Sequence, residues 1–361
     1  MRVLTVTCSC AENYGARLQA CALTAWLRSE GHDAAITDYR PAYMRHLENI
    51  WPRRVRPLRE WLSAARNYIY HRDRMVRHEE LERFMAARSP LTRTYGNVKS
   101  LRENPPAADA LIAGSDQIWN TSLPNGNDPA FFLDFGAETC RRIAYAASFG
   151  TATISRDDAA RMQPRLERFD AISVRERSGA AIVAGMGLGE PPVVVDPVFL
   201  PEHDYWEKTA ENPGVQGDYV VVYDFMRSRE VKRVAQRVAR LTGSRIIATG
   251  PFRRSYAHNR TTASPEQFVG LIRGARCVVS NSFHGSALAM IFGRDFLVVD
   301  REDGLNERMH DMLERYGLGC RLASGETPDA LLAAPIDYAA LRPKLERDIE
   351  LSKQFLRQAL S

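Results

Sequence analysis

The stretch VVSNSFHGSALAMIFG, residues 278–293, sets a histidine between two apolar runs. ARCVVS reads as a buried parallel strand, and GSALAMIFG as a helix packed upon it. The junction Asn281-Ser282-Phe283-His284-Gly285 is then a strand-to-helix turn with free backbone N–H groups, a place where open α/β sheets bind anions. There His284 is a proton donor, a phosphate contact or a helix cap. Cations with the right geometry for anions recur elsewhere. Arg175 in ISVRERSG follows a strand directly, and its planar fork suits a carboxylate or phosphate; an ion pair with Glu176 is the plainer reading. Arg308 in LNERMHDML falls in the first turn of a helix with Asn306 as its cap, and a solvated helix face explains it equally well. Arg253 and Arg254 in GPFRRSY lie on a loop after a strand. In AGSDQIWN, Gly114, Ser115 and Asp116 stand at a strand's end, where Gly114 permits close approach of backbone to ligand. Asn13, Tyr14 and Gly15 form the loop after the first strand.

These residues need a frame, and the chain supplies an alternation of strands and helices. RVLTVTC, DAAITDY, ADALIA, RRIAYAASFG, FDAISV and PPVVVDPVFL read as strands of a first series. ARLQACALTAWLRSEG reads as an amphipathic helix with a glycine stop. A second series follows from YVVVYDF, through RIIATG and CVVS, to DFLVVD. SPEQFVGLIRGA opens with Ser264 as N-cap, Pro265 in the first turn and Gln267 as capping-box partner. The expected fold class is α/β: two doubly wound, Rossmann-like domains facing a cleft, as in glycosyltransferase-B enzymes. Residues 1–200 form the N-terminal domain, with a basic helical excursion over 40–93. Residues 201–218 are a polar linker, 219–335 the C-terminal domain, and 336–361 a last helix packing back.

At 361 residues the chain is long enough for two cores. Six cysteines without CxxC pairs or metal-ligand spacing read as reduced, mostly buried thiols. HRDRMVRH lacks partners for a metal site, and the glycines around 185–189 are no dinucleotide fingerprint. No run is long enough to span a membrane, and the N-terminus starts directly on a strand pattern without a secretory h-region, so a cytoplasmic location is expected. The net charge is +5, and only five of the 49 basic residues are lysine. The excursion over 40–93 interleaves arginine with Trp, Tyr and Leu. It reads as a solvated helical segment or as a peripheral patch touching anionic lipid or a lipid-linked substrate at the inner membrane face. No nucleic-acid module accompanies the charge, and no oligomeric state is implied.

Eight pieces, in order, resemble the polysaccharide pyruvyl transferase family: NYGARLQACAL, LIAGSDQIWN, FFLDF, RRIAYAASFG, ISVRERSG, VVVDPVFL, SPEQFVGLIRGARCVVSNSFHG and LNERMHDMLERYGL. The resemblance implies phosphoenolpyruvate as donor substrate and a saccharide or lipid-linked sugar with two nearby hydroxyls as acceptor. The product would be a pyruvate ketal made during surface-polysaccharide assembly, with no metal or organic cofactor. With it His284 reads as the general acid, while Asp116 either accepts the attacking hydroxyl's proton or caps its turn as an Asx residue. Donor contacts then fall to Arg175, Arg308, Asn281, Ser282 and Gly285, and acceptor contacts to Asn13, Tyr14, Gly15 and Ser115, with Tyr14 stacking on a sugar ring or closing the domain edge. Many members carry an arginine two positions before the histidine. Here that position is Ser282, and Arg253 and Arg254 are the candidates to replace its charge. A nucleotide-sugar glycosyltransferase and a non-catalytic binding protein of the same fold are the alternatives.

Overall fold

The computed structural model describes residues 1–44 and 59–361, the side chains of residues 59–69 excepted. Short β-branched and alanine-rich runs form the first sheet: β1 (Arg2–Val6), β2 (Asp33–Ile36), β3 (Ala110–Ala113), β4 (Arg141–Ala147) and β5 (Ala171–Val174). Between and after them lie α1 (Tyr14–Ser29), α2 (Arg59–Arg88), α3 (Val98–Glu103), α4 (Arg156–Leu166) and α5 (Arg177–Gly185). The strand order is β2-β1-β3-β4-β5, every pair parallel. Chain order therefore reverses between β1 and β3, which opens a crevice at the carboxyl ends of those two strands.

The second sheet repeats the design. After α6 (His203–Thr209) come β6 (Tyr219–Tyr223), α7 (Arg229–Thr242), β7 (Arg245–Thr249), β8 (His258–Arg260), α8 (Pro265–Arg273), β9 (Cys277–Ser280), α9 (Phe283–Ile291) and β10 (Asp295–Val298). Its order is β10-β9-β6-β7-β8, again parallel, with the reversal between β6 and β9. The chain ends with α10 (Glu307–Arg315), α11 (Asp329–Leu332) and α12 (Tyr338–Leu360). Helix starts follow the side chains expected to satisfy free N–H groups: Asn13, Ser155, Ser228 and Ser264 each accept a backbone hydrogen bond in the first turn of α1, α4, α7 and α8.

The two domains share an interior. One contiguous apolar cluster holds Leu18 and Leu23 of α1, Phe268 of α8, Ala287 and Leu288 of α9, and Leu356 and Leu360 of α12, all fully or nearly fully buried. Separate clusters fill the outer face of each sheet. The last helix starts against the C-terminal domain, where Tyr338 Oη donates to the Arg294 carbonyl at 2.6 Å. It ends on the N-terminal domain, where Ser352 Oγ accepts the Val195 N–H at 2.9 Å.

Three segments differ from the sequence pattern. The polar stretch 201–218 carries α6, because Trp206 buries its ring and donates to the Val198 carbonyl at 2.9 Å. PPVVVDPVFL reads as a strand but makes only one bridge, Val174 to Val193, before Pro197 opens a 3-10 turn at Pro197–Phe199. Of the basic excursion, residues 45–58 lie outside the described residues, and the described part carries a 3-10 turn at Ala42–Met44 and the long helix α2. Several of its arginines are committed to polar partners within the protein: Arg74 to Glu12, Arg77 to the Gly250 and Thr261 carbonyls, and Arg88 to Thr209. Among the described residues no helix is long and apolar enough to cross a membrane.

Candidate active site

Both crevices open toward each other, and the charged residues at their strand ends meet. His284 stands in the first turn of α9, after β9, and is almost wholly buried. Its Nε2 faces Asp196 Oδ2 at 3.5 Å, an ion-pair separation longer than a hydrogen bond. The opposite side of the ring lies against α1: a Cβ built on Gly15 would sit 2.1 Å from Nδ1. Nε2 is thus the nitrogen that remains available, and it is buried with no hydrogen-bond partner.

Arg175, at the end of β5, is buried. One Nη donates to Asp196 Oδ2, and the other lies 3.6 Å from Asp116 Oδ1. Its plane covers the Phe283 ring, with Cζ 4.8 Å from the centroid. Nε and Nη2 have no hydrogen-bond partner although buried. Arg308, from α10, reaches within 3.5 Å of the same Asp116 oxygen and lies against the Gln117 side-chain amide. Arg175, Asp196, Phe283 and Arg308 line one crevice.

The electrostatics follow from crowding these groups out of water. Burial pushes Asp116 up, but the charges of Arg175, His284 and Arg308 outweigh it and hold the carboxyl below its usual range. Burial acts on Asp196 likewise and is overcome by His284, Arg175 and the Val198 N–H, which leaves it well below that range. Arg308 goes the other way: burial, then the neighbouring Arg175, lower it to about 10. A guanidinium so destabilised is a group prepared for an anion.

The remaining candidates divide. Ser115 belongs to the cluster, its Oγ 3.4 Å from Asp196 Oδ2 and donating to the Ala146 carbonyl at 2.7 Å. Ser282 is the N-cap residue of α9 but makes no side-chain cap bond. Asn281 braces the loops instead, donating to Asp224 Oδ1 at 2.7 Å and accepting from Phe225 N–H at 3.1 Å. Gly285 is needed for packing, since a Cβ there would meet Ser280 Oγ at 2.9 Å. Asn13 caps α1. Tyr14 is buried, stacks on Phe268 with centroids 4.5 Å apart and donates to the Ala263 carbonyl at 2.6 Å, so its ring closes the domain junction. Arg253 pairs with Asp73 of α2 at 2.6 Å and Arg254 with buried Asp224 at 2.7 Å. Both are loop braces rather than a replacement for the charge absent at Ser282. Gly114 approaches protein, not an open cleft: a Cβ there would sit 2.1 Å from the Tyr145 carbonyl oxygen. Asn306 does not cap α10 through its side chain, which binds the Arg301 backbone at both ends of its amide.

One residue enters that sequence reasoning passed over, and one expected pairing is not made. Asp196 sits in VVVDPV, where an acid interrupting an apolar run before proline was the available signal. Glu176, next to Arg175, does not pair with it through hydrogen bonds. Its Oε1 accepts from Ser148 Oγ, Phe149 N and Gly150 N at 2.9, 2.9 and 3.3 Å, and burial pushes its carboxyl up.

The model of the family described as polysaccharide pyruvyl transferase matches residues 13–303, which include Gly15, Asp116, Arg175, Asp196 and His284. The chain belongs to that family. Among solved structures, this pyruvyl transferase family member is similar to UDP-N-acetylglucosamine 2-epimerase from Rickettsia bellii, with a TM-score of 0.52 and 10% identity over 100% of this chain and 96% of that one. The glycosyltransferase AviGT4, involved in avilamycin A biosynthesis, gives 0.49 and 12% over 99% and 97%. A putative UDP-N-acetylglucosamine 2-epimerase from Listeria monocytogenes gives 0.47 and 12% over 97% and 90%. At such identities the likeness concerns the fold: two α/β domains of the glycosyltransferase-B kind. No curated protein matches the chain in sequence.

Proposed function

We propose that the protein transfers pyruvate from phosphoenolpyruvate to two hydroxyls of a saccharide or lipid-linked sugar, forming a ketal during surface-polysaccharide assembly at the cytoplasmic side of the membrane. The observation that carries this reading is the convergence of Arg175 and Arg308 beside His284, with two buried guanidinium nitrogens of Arg175 lacking any hydrogen-bond partner. Unpartnered buried donors of this kind favour a ligand rich in anionic oxygen. Phosphoenolpyruvate offers a carboxylate and a phosphate, one for each fork.

The chemistry then follows from the residues. His284 Nε2–H delivers a proton to the methylene carbon, forming the new C–H bond and leaving positive charge at the central carbon. The first acceptor oxygen bonds to that carbon as its O–H proton passes to the Nε2 of His284 that the first step left bare, which restores the acid. The second hydroxyl oxygen bonds to the same carbon and displaces phosphate, the C–O bond breaking with its electron pair on the phosphate oxygen, which takes up the second hydroxyl's proton and leaves as hydrogen phosphate. Asp116, lying between two guanidiniums, acts as their counter-ion and stabilises the developing cation electrostatically. Being held below the usual carboxylate range, it is a weak base for the hydroxyl proton.

Calorimetry with phosphoenolpyruvate on the wild type and on Arg175→Ala tests the reading. Arg175-dependent binding supports it. Binding of a nucleoside diphosphate with no response to phosphoenolpyruvate overturns it in favour of sugar transfer from a nucleotide donor.

A further inference from the structure

One carboxylate oxygen serves two cations in this site. Asp196 is fully buried, and its Oδ2 accepts from Arg175 while facing His284 Nε2 at 3.5 Å. Oδ1 is fixed by the Val198 N–H at 3.1 Å, so the carboxylate cannot turn away without losing that bond.

The charges around the ring can be counted. Arg175 and Arg308 face Asp116 and Asp196. Glu176 lies behind Arg175, where its Oε1 is held by Ser148 Oγ and the Phe149 and Gly150 N–H groups, and Arg301 beside Arg308 is paired with Asp303. From the sides, Tyr14 and Tyr223 are phenols that burial keeps neutral. Helix α9 itself has no charged side chain apart from the histidine, and the first turn of α1 has none facing the ring, since Arg17 turns to Glu82. Two guanidiniums thus face two carboxylates around the ring.

A donor with a phosphate and a carboxylate changes that balance. It takes the charge of Arg175 and Arg308 and leaves Asp196 and Asp116 facing the ring. Histidine is the side chain in this cluster able to supply positive charge near neutral pH. We propose that Asp196 is a positioning residue that couples donor occupancy to His284: when the donor engages Arg175, the shared oxygen is released to hold a proton taken from solvent onto His284 Nε2. The acid is then loaded only when there is a substrate to receive the proton. This inference rests on the pyruvyl-transfer reading.

The test is proton uptake on binding phosphoenolpyruvate, measured calorimetrically near pH 7.5 in buffers of different ionisation enthalpy. The wild type is expected to take up about half to one proton per donor bound, as linkage requires when a site gains a proton with its ligand. His284→Gln removes the uptake. Asp196→Asn lowers it by about threefold or more while donor affinity stays within about threefold, because taking a carboxylate from an anion site does not weaken anion binding. A residue with a merely structural role would lose affinity and uptake together. Should Asp196→Asn fail to fold, the wild-type His284 ring resonance, assigned by its absence in His284→Gln, carries the test: it moves to the protonated position on adding phosphoenolpyruvate. Donor binding without uptake, an unmoved resonance, or wild-type uptake in Asp196→Asn overturns the coupling and leaves pyruvyl transfer standing. No donor binding by the wild type overturns both.

Discussion

Gly15 and His284, on helices from opposite domains, are in direct contact: a methyl group at position 15 would overlap the imidazole at Nδ1 and Cγ and the side-chain Cβ that carries it. The ring's place is therefore set by the absence of a side chain. Gly15 lies in the first turn of α1, where local helix propensity alone would favour alanine.

Gly15→Ala separates the two effects. Helix α1 is not weakened, but the ring must move, and a displacement of about 1 Å lowers turnover by roughly 100-fold. Donor affinity, which rests on Arg175 and Arg308, changes by less than about threefold. Parallel calorimetry and phosphate-release assays check this, and equal turnover in Gly15→Ala and wild type would show that the contact is not needed.

Arg308 is a cation that the empty protein holds at a disadvantage. Burial and Arg175 lower it to about 10, so between about 10 and the ordinary arginine range the native state binds fewer protons than the unfolded chain. Stability then rises with pH across that window, and at neutral pH the charged group is destabilising. Arg308→Gln is expected to raise the melting temperature by about 2 °C or more while abolishing the further rise that phosphoenolpyruvate gives the wild type. Scanning calorimetry with and without the donor reads both.

Glu82 on α2 works in the opposite direction. Burial pushes it up, but hydrogen bonds and charge from Arg40 and Arg17 prevail and bring it to about 2. Its stabilisation is full above the usual glutamate range and is lost as pH falls toward about 2. Glu82→Gln should destabilise by about 2 kcal/mol at pH 7, the scale of a charge-assisted hydrogen bond. The gap between variant and wild type narrows from pH 5 to pH 3 in urea titrations.

Asp73 ties α2 to the C-terminal domain through Arg253 and Thr261, and Arg77 reaches the Gly250 and Thr261 carbonyls from the next turn. Asp73→Asn is expected to speed amide exchange in residues 70–78 and 250–261 and to leave the β1 and β3 amides unchanged. Hydrogen-exchange mass spectrometry resolves these segments.

Much of this frame can be read in advance from local signals. The strand-to-helix turn at His284, the cap at Ser264 and the alternation of both series depend on residues close in sequence. What escapes is pairing at a distance. Asp196 reads as part of an apolar run, and nothing near it announces His284 or Arg175 as partners. The same holds for Arg253 and Arg254, whose charges look free until Asp73 and Asp224 come alongside. Tyr14 leaves a sugar stack and closure of the domain edge equally open in sequence, and its cover from the other domain, Phe268 and the Ala263 carbonyl, decides for closure. Val195 looks like a strand residue, but its N–H is taken by Ser352 of α12.

The apolar cluster that α1, α8, α9 and α12 share has a consequence for how the molecule can be divided. A chain cut in the segment 201–218 would not yield two self-sufficient proteins. The first half would carry Leu18 and Leu23 into water without Phe268 and Leu288, and the second would keep α12 with its partner face gone. The halves should be insoluble when made singly and recover a folded species when made together.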